Sequence, residues 1–236
     1  MAATSWNQLG ANLDVNTFSV GDATPTDLTL EHIDELGSPK SYNHYNTGWA
    51  WAFDTPFPYW KRWSGYEGGI ADMCVVSWPA KIPASKTPRQ QYVHAVDVVP
   101  TIYDLLGVTP PAVIKGFEQS DIEGESFAAS LTDPDAASKT TQFYTMLGQR
   151  SIYHEGWLAC TIHPPLSGWG KFELDVWELY DSNTDFSLTK DLAKSNPAKL
   201  KELQKLFMSE ASKNHVLPID DRVFERIVAE MVGRPD

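Results

Sequence analysis

Apolar and polar positions divide the chain into a weakly patterned beginning, a middle that predicts one strand and one helix, and a densely patterned end. The run MCVVSWP at residues 73–79 is continuously apolar and closed by a proline, which is typical of a strand buried on both faces, as in a parallel sheet. Residues 91–108 then predict a helix, because Asp97 fits its cap, Gly107 fits its end, and apolar side chains recur at Val99, Ile102, Tyr103 and Leu106. Strand, loop and helix in this order predict one βα unit.

The pattern changes in the second half of the chain. QFYTMLGQRSIYHEGWLACTIHP at residues 142–164 predicts two strands around a turn at Gly148, with a second turn at His154-Glu155-Gly156. A further strand follows at residues 175–181. The clearest helix starts near Pro197, is capped by Ser195 or Asn196, and places Leu200, Leu203 and Phe207 on one face. The tail at residues 218–235 predicts another amphipathic helix.

The beginning of the chain is less regular. Residues 1–40 mix Gly, Asn, Thr and Asp with isolated apolar residues, which indicates loop with one short helix near residues 26–36. Residues 42–60 are aromatic and contain Pro56 and Pro58, so we expect a packed irregular segment there. These changes predict a weakly patterned segment at 1–40, the end of an α/β domain at 41–135, and a C-terminal subdomain at 136–236.

Composition excludes several classes of protein. The chain has 236 residues, 42% of them hydrophobic, which is enough for a sizeable core, but its apolar runs are too short to span a membrane. The net charge of −12, with 19 scattered Lys and Arg residues, argues against nucleic-acid binding. No signal peptide is recognisable, so the compartment stays open, with the cytoplasm favoured. Cys74 and Cys160 are expected to be buried thiols without a disulfide.

Local motifs alone do not establish a reaction. The sequence contains no H-E-x-x-H, C-x-x-C, Walker loop or G-x-G-x-x-G. GESFA at residue 124 lacks the final glycine and the preceding strand of a nucleophile elbow, which favours a turn at Ser126. His94 precedes a predicted helix, where a structural role is favoured over catalysis. These residues support a soluble α/β protein with a mixed sheet.

Four stretches follow one another in register from about Asn43 to Leu206: NTGWAWAFDTPFPYWKRWSGYEGGIADMCVVSWPAKI, VHAVDVVPTIYDLLGV, IEGESFAASL and WELYDSNTDFSLTKDLAKSNPAKLKEL. Together they resemble the C-terminal third of the type I sulfatases, the formylglycine-dependent arylsulfatases. The resemblance implies the alkaline-phosphatase-like α/β fold in part. It implies the end of a large mixed-sheet domain, followed by a small antiparallel sheet with a packed helix.

The resemblance also implies roles for individual residues. The lysine at the position of Lys61 binds the sulfate group in that family, and Gly68 and Gly69 form the turn behind it. From the residues alone, a solvated Lys61 lying over Trp60 and Trp63 is favoured, and the resemblance reverses that preference. His44, with Asn46, precedes the aromatic stretch and is a candidate for the substrate wall, although packed aromatic scaffold is the stronger interpretation.

The sequence departs from the family in its catalytic centre. Ala71 and Met73 stand where the family has Arg and Pro, and neither cysteine lies in the C-x-[PA]-x-R motif that carries the nucleophile. The family implies Ca²⁺, yet the chain offers no cluster of oxygen ligands, so we expect no metal or cofactor to be ligated by this chain.

We therefore interpret the chain as the C-terminal region of an arylsulfatase-like sulfuric ester hydrolase that is inactive alone. It would meet a sulfate-ester substrate only within a complete enzyme, with neither nucleic acid nor membrane as partner. Exposed apolar surface predicts self-association. The alternatives are a non-catalytic interaction or scaffold module derived from a sulfatase, whose nine tryptophans would form a binding face, and a truncated gene product.

Overall fold

The computed structural model describes residues 3–4, 11–12, 30–35, 42–43, 45–61, 63–163 and 170–221. Packing divides the chain into two compact units. Unit 1 consists of Met1–Ala71, Phe143–Ile152 and Gly156–Asp236, and unit 2 consists of Asp72–Gln142 and Tyr153–Glu155. The division describes packing alone, so the domain boundaries expected at residues 40 and 135 stay a prediction.

Helices and strands follow in chain order. The helices are α1 (Thr47–Asp54), α2 (Glu67–Ile70), α3 (Val98–Leu106) and α4 (Pro197–Lys213). Six two-residue strands form three small pairs: β1 (Ala3–Thr4) with β4 (Tyr45–Asn46), β2 (Ala11–Asn12) with β3 (Tyr42–Asn43), and β5 (Val113–Ile114) with β6 (Phe117–Glu118). The longer strands are β7 (Thr141–Met146), β8 (Gln149–His154), β9 (Trp157–Thr161) and β10 (Trp177–Asp181). Among the described residues, no helix is long and apolar enough to cross a membrane.

The four longer strands form one sheet in the order β10-β9-β8-β7. Both predicted turns are present, and each has two residues with positive φ: Leu147 (50°) and Gly148 (85°), then Glu155 (49°) and Gly156 (84°). Two successive positive φ angles are typical of the tight turns that join antiparallel strands. Because both turns connect strands, the segment holds three strands rather than the two expected.

The core lies where α4 packs on this sheet. Leu203 and Phe207, on the predicted apolar face, are fully buried against Ile152, Ala159 and Leu179, whereas Leu200 is only partly buried. The Phe207 ring meets Phe143 and Trp177 edge-on, with centroids 6.2 and 5.9 Å away. Pro197 occupies the first turn, where its missing N–H costs nothing. The predicted antiparallel sheet with a packed helix is confirmed. The tail helix expected at 218–235 lies almost entirely outside the described residues.

A buried ion network supports the same unit. The Arg150 guanidinium pairs with Asp175, and its cation lies over the rings of Phe172 and Trp177, at 5.1 and 5.2 Å from their centroids. His163 Nδ1 lies 2.9 Å from an Asp175 carboxylate oxygen. The Arg150 guanidinium and the Asp175 carboxylate carry opposite charges, which is what makes burial of this pair tolerable.

The expectation of a wholly irregular aromatic segment is wrong at residues 47–54, which form α1. Pro56 and Pro58 follow the helix and therefore break none of its hydrogen bonds. The helix leaves Trp49, Trp51 and Phe53 about half exposed or more. In the N-terminal helix expected near 26–36, only residues 30–35 are described, with a 3₁₀ turn at Ile33–Glu35.

The expectation of a strand buried on both faces at residues 73–79 is also wrong. The segment forms no ladder with any described residue, and Met73 and Val75 are 98% and 88% exposed. A parallel strand needs hydrogen-bonded neighbours and covering helices, and the described chain brings none to this segment. Cys74 is exposed for the same reason, contrary to expectation, whereas Cys160 is buried; both are unoxidised thiols.

Helix α3 forms as predicted, but its apolar positions do not form its buried face. It ends at Gly107, whose φ of 62° lets its N–H reach the carbonyls of Tyr103 and Asp104. Val99, Ile102 and Leu106 point to solvent, whereas Thr101 is buried. The polar side of the helix therefore faces the rest of unit 2.

Asp97 is the polar centre of unit 2 rather than a simple helix cap. Its buried carboxylate accepts hydrogen bonds from the His94 N–H at 2.7 Å, the Glu125 N–H at 2.8 Å and the Lys139 ammonium at 2.7 Å. Burial would raise the pKa of Asp97, but these donors outweigh it and lower the pKa. His94 caps the short turn before α3, since its Nδ1 accepts from the Val96 N–H.

Hydrogen bonds join two of the motif stretches, VHAVDVVPTIYDLLGV and IEGESFAASL. The Phe127 N–H donates to Thr101 Oγ1 at 3.0 Å, and the Ser126 hydroxyl donates to Asp104 at 2.6 Å. Gly124 lies so close to the Val96 carbonyl that a side chain would overlap it. The Ser126 hydroxyl is thus engaged in two hydrogen bonds, since it also accepts one from the Ala128 N–H. Its role is to hold the segment after Gly124 in place.

Candidate functional site

Lys61 lies on a turn of unit 1. The Trp63 N–H donates to the Trp60 carbonyl at 3.1 Å, which closes the turn around Lys61 and leaves the lysine side chain exposed. A lysine in this position has its ammonium available to a ligand. We refer to residues 57–70 as the lysine turn.

Aromatic rings line the lysine turn. Tyr59 is the centre of the cluster, with the rings of Trp63 and Tyr66 4.9 and 4.7 Å away and those of Trp51 and Trp60 just beyond 6 Å. Its φ of 66° is rare for a residue with a bulky side chain and reverses the chain just before Lys61. Such conformations persist only where surrounding contacts hold them, so the turn is tightly specified.

Gly68 and Gly69 allow helix α2 to lie very close to the backbone of the lysine turn. A side-chain carbon at Gly68 would overlap the carbonyl oxygens of Tyr59 and Pro58, and one at Gly69 would overlap that of Trp63. Only glycine lets α2 lie directly against the backbone on both sides of Lys61. Both glycines lie within the short helix α2 rather than in the turn expected for them, and their part in a reaction stays a prediction.

Replacing Gly68 by alanine is expected to destabilise the protein by about 1–3 kcal/mol or more, because backbone must move to accept the added carbon. Gly65→Ala is the matched control in the same turn, since its new carbon would meet nothing closer than the Thr161 carbonyl at 3.4 Å. Urea unfolding of both variants measures the difference. Equal losses of stability would show that the close approach is not specific to Gly68.

Hydrogen bonds fasten the lysine turn to the sheet. The Tyr66 hydroxyl donates to Glu178 Oε2 at 2.5 Å, the Tyr180 hydroxyl donates to the same oxygen at 2.7 Å, and Ser151 donates to the Ser64 carbonyl at 2.6 Å. Burial raises the pKa values of Tyr66 and Tyr180, and nearby negative charge adds to the effect, so both hydroxyls remain donors. No local pattern indicates these partners, because Tyr66 and Glu178 are 112 positions apart.

Tyr66→Phe should destabilise the protein by about 1.5–3 kcal/mol, the usual range for a hydrogen bond to a charged group. Tyr180→Phe is the comparison, because it leaves the bond between Tyr66 and Glu178 in place. Hydrogen exchange separates the two variants: exchange in residues 59–69 should accelerate only in Tyr66→Phe. Equal acceleration in both would mean that Tyr66 does not fasten the turn.

Glu67 is a further titratable group in the turn that the sequence did not single out. Burial raises its pKa to about 7. Burial also raises the pKa of the Cys160 thiol, with a further contribution from neighbouring carboxylates that include Glu67. The thiol therefore stays protonated and unreactive at neutral pH.

Two further predictions concern His44 and metal binding. His44 lies outside the described residues, so its place in a substrate wall stays a prediction. No three His, Cys, Asp or Glu side chains of the described part of the chain gather as a metal-binding group. The expectation that this chain ligates no metal stays a prediction.

Comparison with known proteins relates this geometry to a family. No protein-family model matches the chain. An uncharacterized sulfatase of Schizosaccharomyces pombe is 29% identical over 201 residues, which cover 83% of this chain and 34% of that protein. The solved Bacteroides thetaiotaomicron protein BT33336S-sulf aligns with a TM-score of 0.50 and 24% identity, over 64% of this chain and 31% of its own. The chain matches the C-terminal portion of sulfatases.

The sulfatase match is partial in length. The chain spans about a third of each of these two relatives, 34% of one and 31% of the other. A solved structure of BT4656 with its substrate D-glucosamine-2-N,6-O-disulfate aligns more weakly, with a TM-score of 0.36 and 20% identity over 54% of this chain and 25% of its own. The α/β fold with its antiparallel sheet and packed helix is the sulfatase fold in part.

Proposed function

We propose that this sulfatase region completes the active site of a sulfuric ester hydrolase, with Lys61 as its sulfate-binding residue. The observation that carries the proposal is an exposed lysine on a turn held by two obligatory glycines and by the bond from Tyr66 to Glu178. The similarity to sulfatases supplies the substrate class. In this proposal the nucleophile and the metal belong to sequence outside this chain, and the chain alone is inactive.

Lys61 would act through charge. When a sulfate ester is cleaved, the bond from sulfur to the leaving oxygen breaks and its electron pair stays on that oxygen. A fixed ammonium stabilises the charge that develops there and on the sulfonyl oxygens. The tryptophans and tyrosines of the lysine turn would form part of the substrate wall, together with His44.

The test uses a completed enzyme. We define it as the part of the Schizosaccharomyces pombe sulfatase that precedes the matched region, joined to this chain in place of the matched region. Hydrolysis of an aryl sulfate by this protein should depend on Lys61, whereas its folding should not. Hydrolysis that is unaffected by removal of Lys61 would return the lysine to the role of a solvated surface residue.

The exposed aromatics of α1 favour a second function, that of a non-catalytic binding module. Trp49 and Phe53 stack with centroids 6.0 Å apart, and both rings are more than half exposed. Large exposed aromatic surfaces commonly mark binding faces. A completed enzyme that folds but hydrolyses no aryl sulfate, in which Trp49→Ala weakens binding of a sulfated ligand and Lys61→Ala does not, would favour this function.

A further inference from the structure

His163 lies buried between two carboxylates of unit 1. Its Nδ1 is 2.9 Å from an Asp175 carboxylate oxygen, and its Nε2 is 3.0 Å from Asp221 Oδ2. The side chains of His163, Asp175 and Asp221 are only 3%, 2% and 13% exposed. We call these three residues the histidine latch. They join three separate parts of the chain: the segment after β9, the segment before β10 and the segment after α4.

A neutral imidazole cannot satisfy both contacts of the histidine latch. It carries one N–H, so its other nitrogen presents a lone pair. A lone pair that faces an ionised carboxylate at this distance makes no hydrogen bond and leaves a buried negative charge without a donor. The doubly protonated ring donates from both nitrogens. The geometry of the latch therefore fits the charged form of His163.

The charges around the ring favour the same form. The Arg150 guanidinium pairs with Asp175 and balances one of the two carboxylates, so a neutral His163 leaves one negative charge in excess. A protonated His163 removes this excess, and burial penalises a balanced group of charges least. Burial would raise the pKa of Asp221, but the Gly170 N–H and His163 outweigh it and lower the pKa. Asp221 is therefore ionised at neutral pH.

We propose that the histidine latch is a pH switch, which is closed when His163 is protonated and releases Asp221 when His163 loses its proton. Imidazole side chains generally change their charge between pH 5 and 8. Asp221 is the carboxylate that leaves, because it is the more exposed of the two and Arg150 holds the other. The switch would act whether or not Lys61 binds sulfate.

Release of Asp221 would free two backbone segments at once. The Gly170 N–H donates to Asp221 Oδ2 at 2.9 Å and would lose its acceptor. In the segment after α4, Val216 and Ile219 pack against the core of unit 1, so movement is confined to the end near Asp221. The stability that the closed latch contributes is lost as pH rises through the titration of His163. It is also lost in acid, as pH falls from about 3.9 through the lowered pKa of Asp221.

Nuclear magnetic resonance of this chain at pH 6 and pH 8 tests the switch. At pH 6, both ring nitrogens of His163 should carry a proton, and the Gly170 amide should be protected from hydrogen exchange. At pH 8, its protection relative to the intrinsic exchange rate should be roughly 10-fold lower, the scale of one hydrogen bond to a charged group. The control is His215→Asn, which removes an exposed imidazole from the same segment. Asparagine tolerates the φ of 56° at this position, so the control should keep the pH dependence.

Asp221→Asn distinguishes a switch from a merely structural contact. The amide of asparagine can donate to a neutral imidazole, and its oxygen can still accept from Gly170. This variant should therefore keep the latch closed at pH 8, so that the protection of Gly170 no longer falls between pH 6 and pH 8. Either of two results would overturn the proposal. One is a Gly170 protection that is the same at both pH values in the original chain, and the other is a pH dependence that persists unchanged in Asp221→Asn.

Discussion

Lys61→Ala is expected to lower kcat/KM of the completed enzyme for an aryl sulfate roughly 10²–10³-fold, the scale seen when one donor to a developing negative charge is removed. The expectation follows from the position of Lys61, exposed at the apex of a turn whose backbone is fixed on both sides by contacts with Gly68 and Gly69. The melting temperature of this variant should stay unchanged, since an exposed lysine contributes little to stability.

Two variants sharpen this experiment. Lys61→Arg should recover only part of the rate, because a planar guanidinium does not replace a compact ammonium at one point. Lys201→Ala removes another exposed lysine, on α4 in the same unit, and should leave kcat/KM unchanged. Equal rates for Lys61→Ala and Lys201→Ala would refute the sulfate-binding role.

Lys139→Met is expected to destabilise the protein by about 3–5 kcal/mol, the usual cost of leaving one charge of a buried pair without its partner. The side chains of Lys139 and Asp97 are only 7% and 2% exposed, and their charged atoms are 2.7 Å apart. Urea unfolding measures the loss. The control is Lys199→Met, which removes a comparably short but solvated pair with Glu202 and should cost less than about 1 kcal/mol.

The same pair predicts how stability depends on pH. The pKa of Asp97 is lowered on folding, so its contribution to stability is present above the unfolded pKa of about 3.9 and is lost as pH falls through the lower folded value. The double variant Asp97→Asn/Lys139→Met should regain part of the stability and lose less of it below about pH 4. A double variant with the same acid dependence as the original would show that Asp97 is not the responsible group.

Local sequence rules predict the C-terminal half well because its structure is local. Gly148 and Gly156 occupy turns that require positive φ, and Pro197, Leu203 and Phe207 mark the start and the buried face of one helix. Each of these signals lies within a few residues of the element it specifies. These turns and this helix therefore follow from local signals, whereas the packing of the helix on an antiparallel sheet was implied by the resemblance to sulfatases.

Long-range contacts account for what the sequence did not predict. The apolar run at residues 73–79 is a strand only when neighbouring strands are present, so its pattern could not show that it would be exposed here. Asp97 fits a helix cap locally, but its bonds to Glu125 and Lys139 depend on tertiary packing. In the candidate site, the sequence indicated a close backbone approach at Gly68 and Gly69 but neither the helix that contains them nor the bond from Tyr66 to Glu178.

The central claim is that this chain provides one part of a sulfatase active site and not the whole of it. Its most direct test is the release of product from an aryl sulfate by the purified chain alone, with and without calcium, beside the completed enzyme at equal concentration. We predict no turnover above background by the chain alone and measurable turnover by the completed enzyme. Turnover by the chain alone, in proportion to its concentration, would contradict the claim.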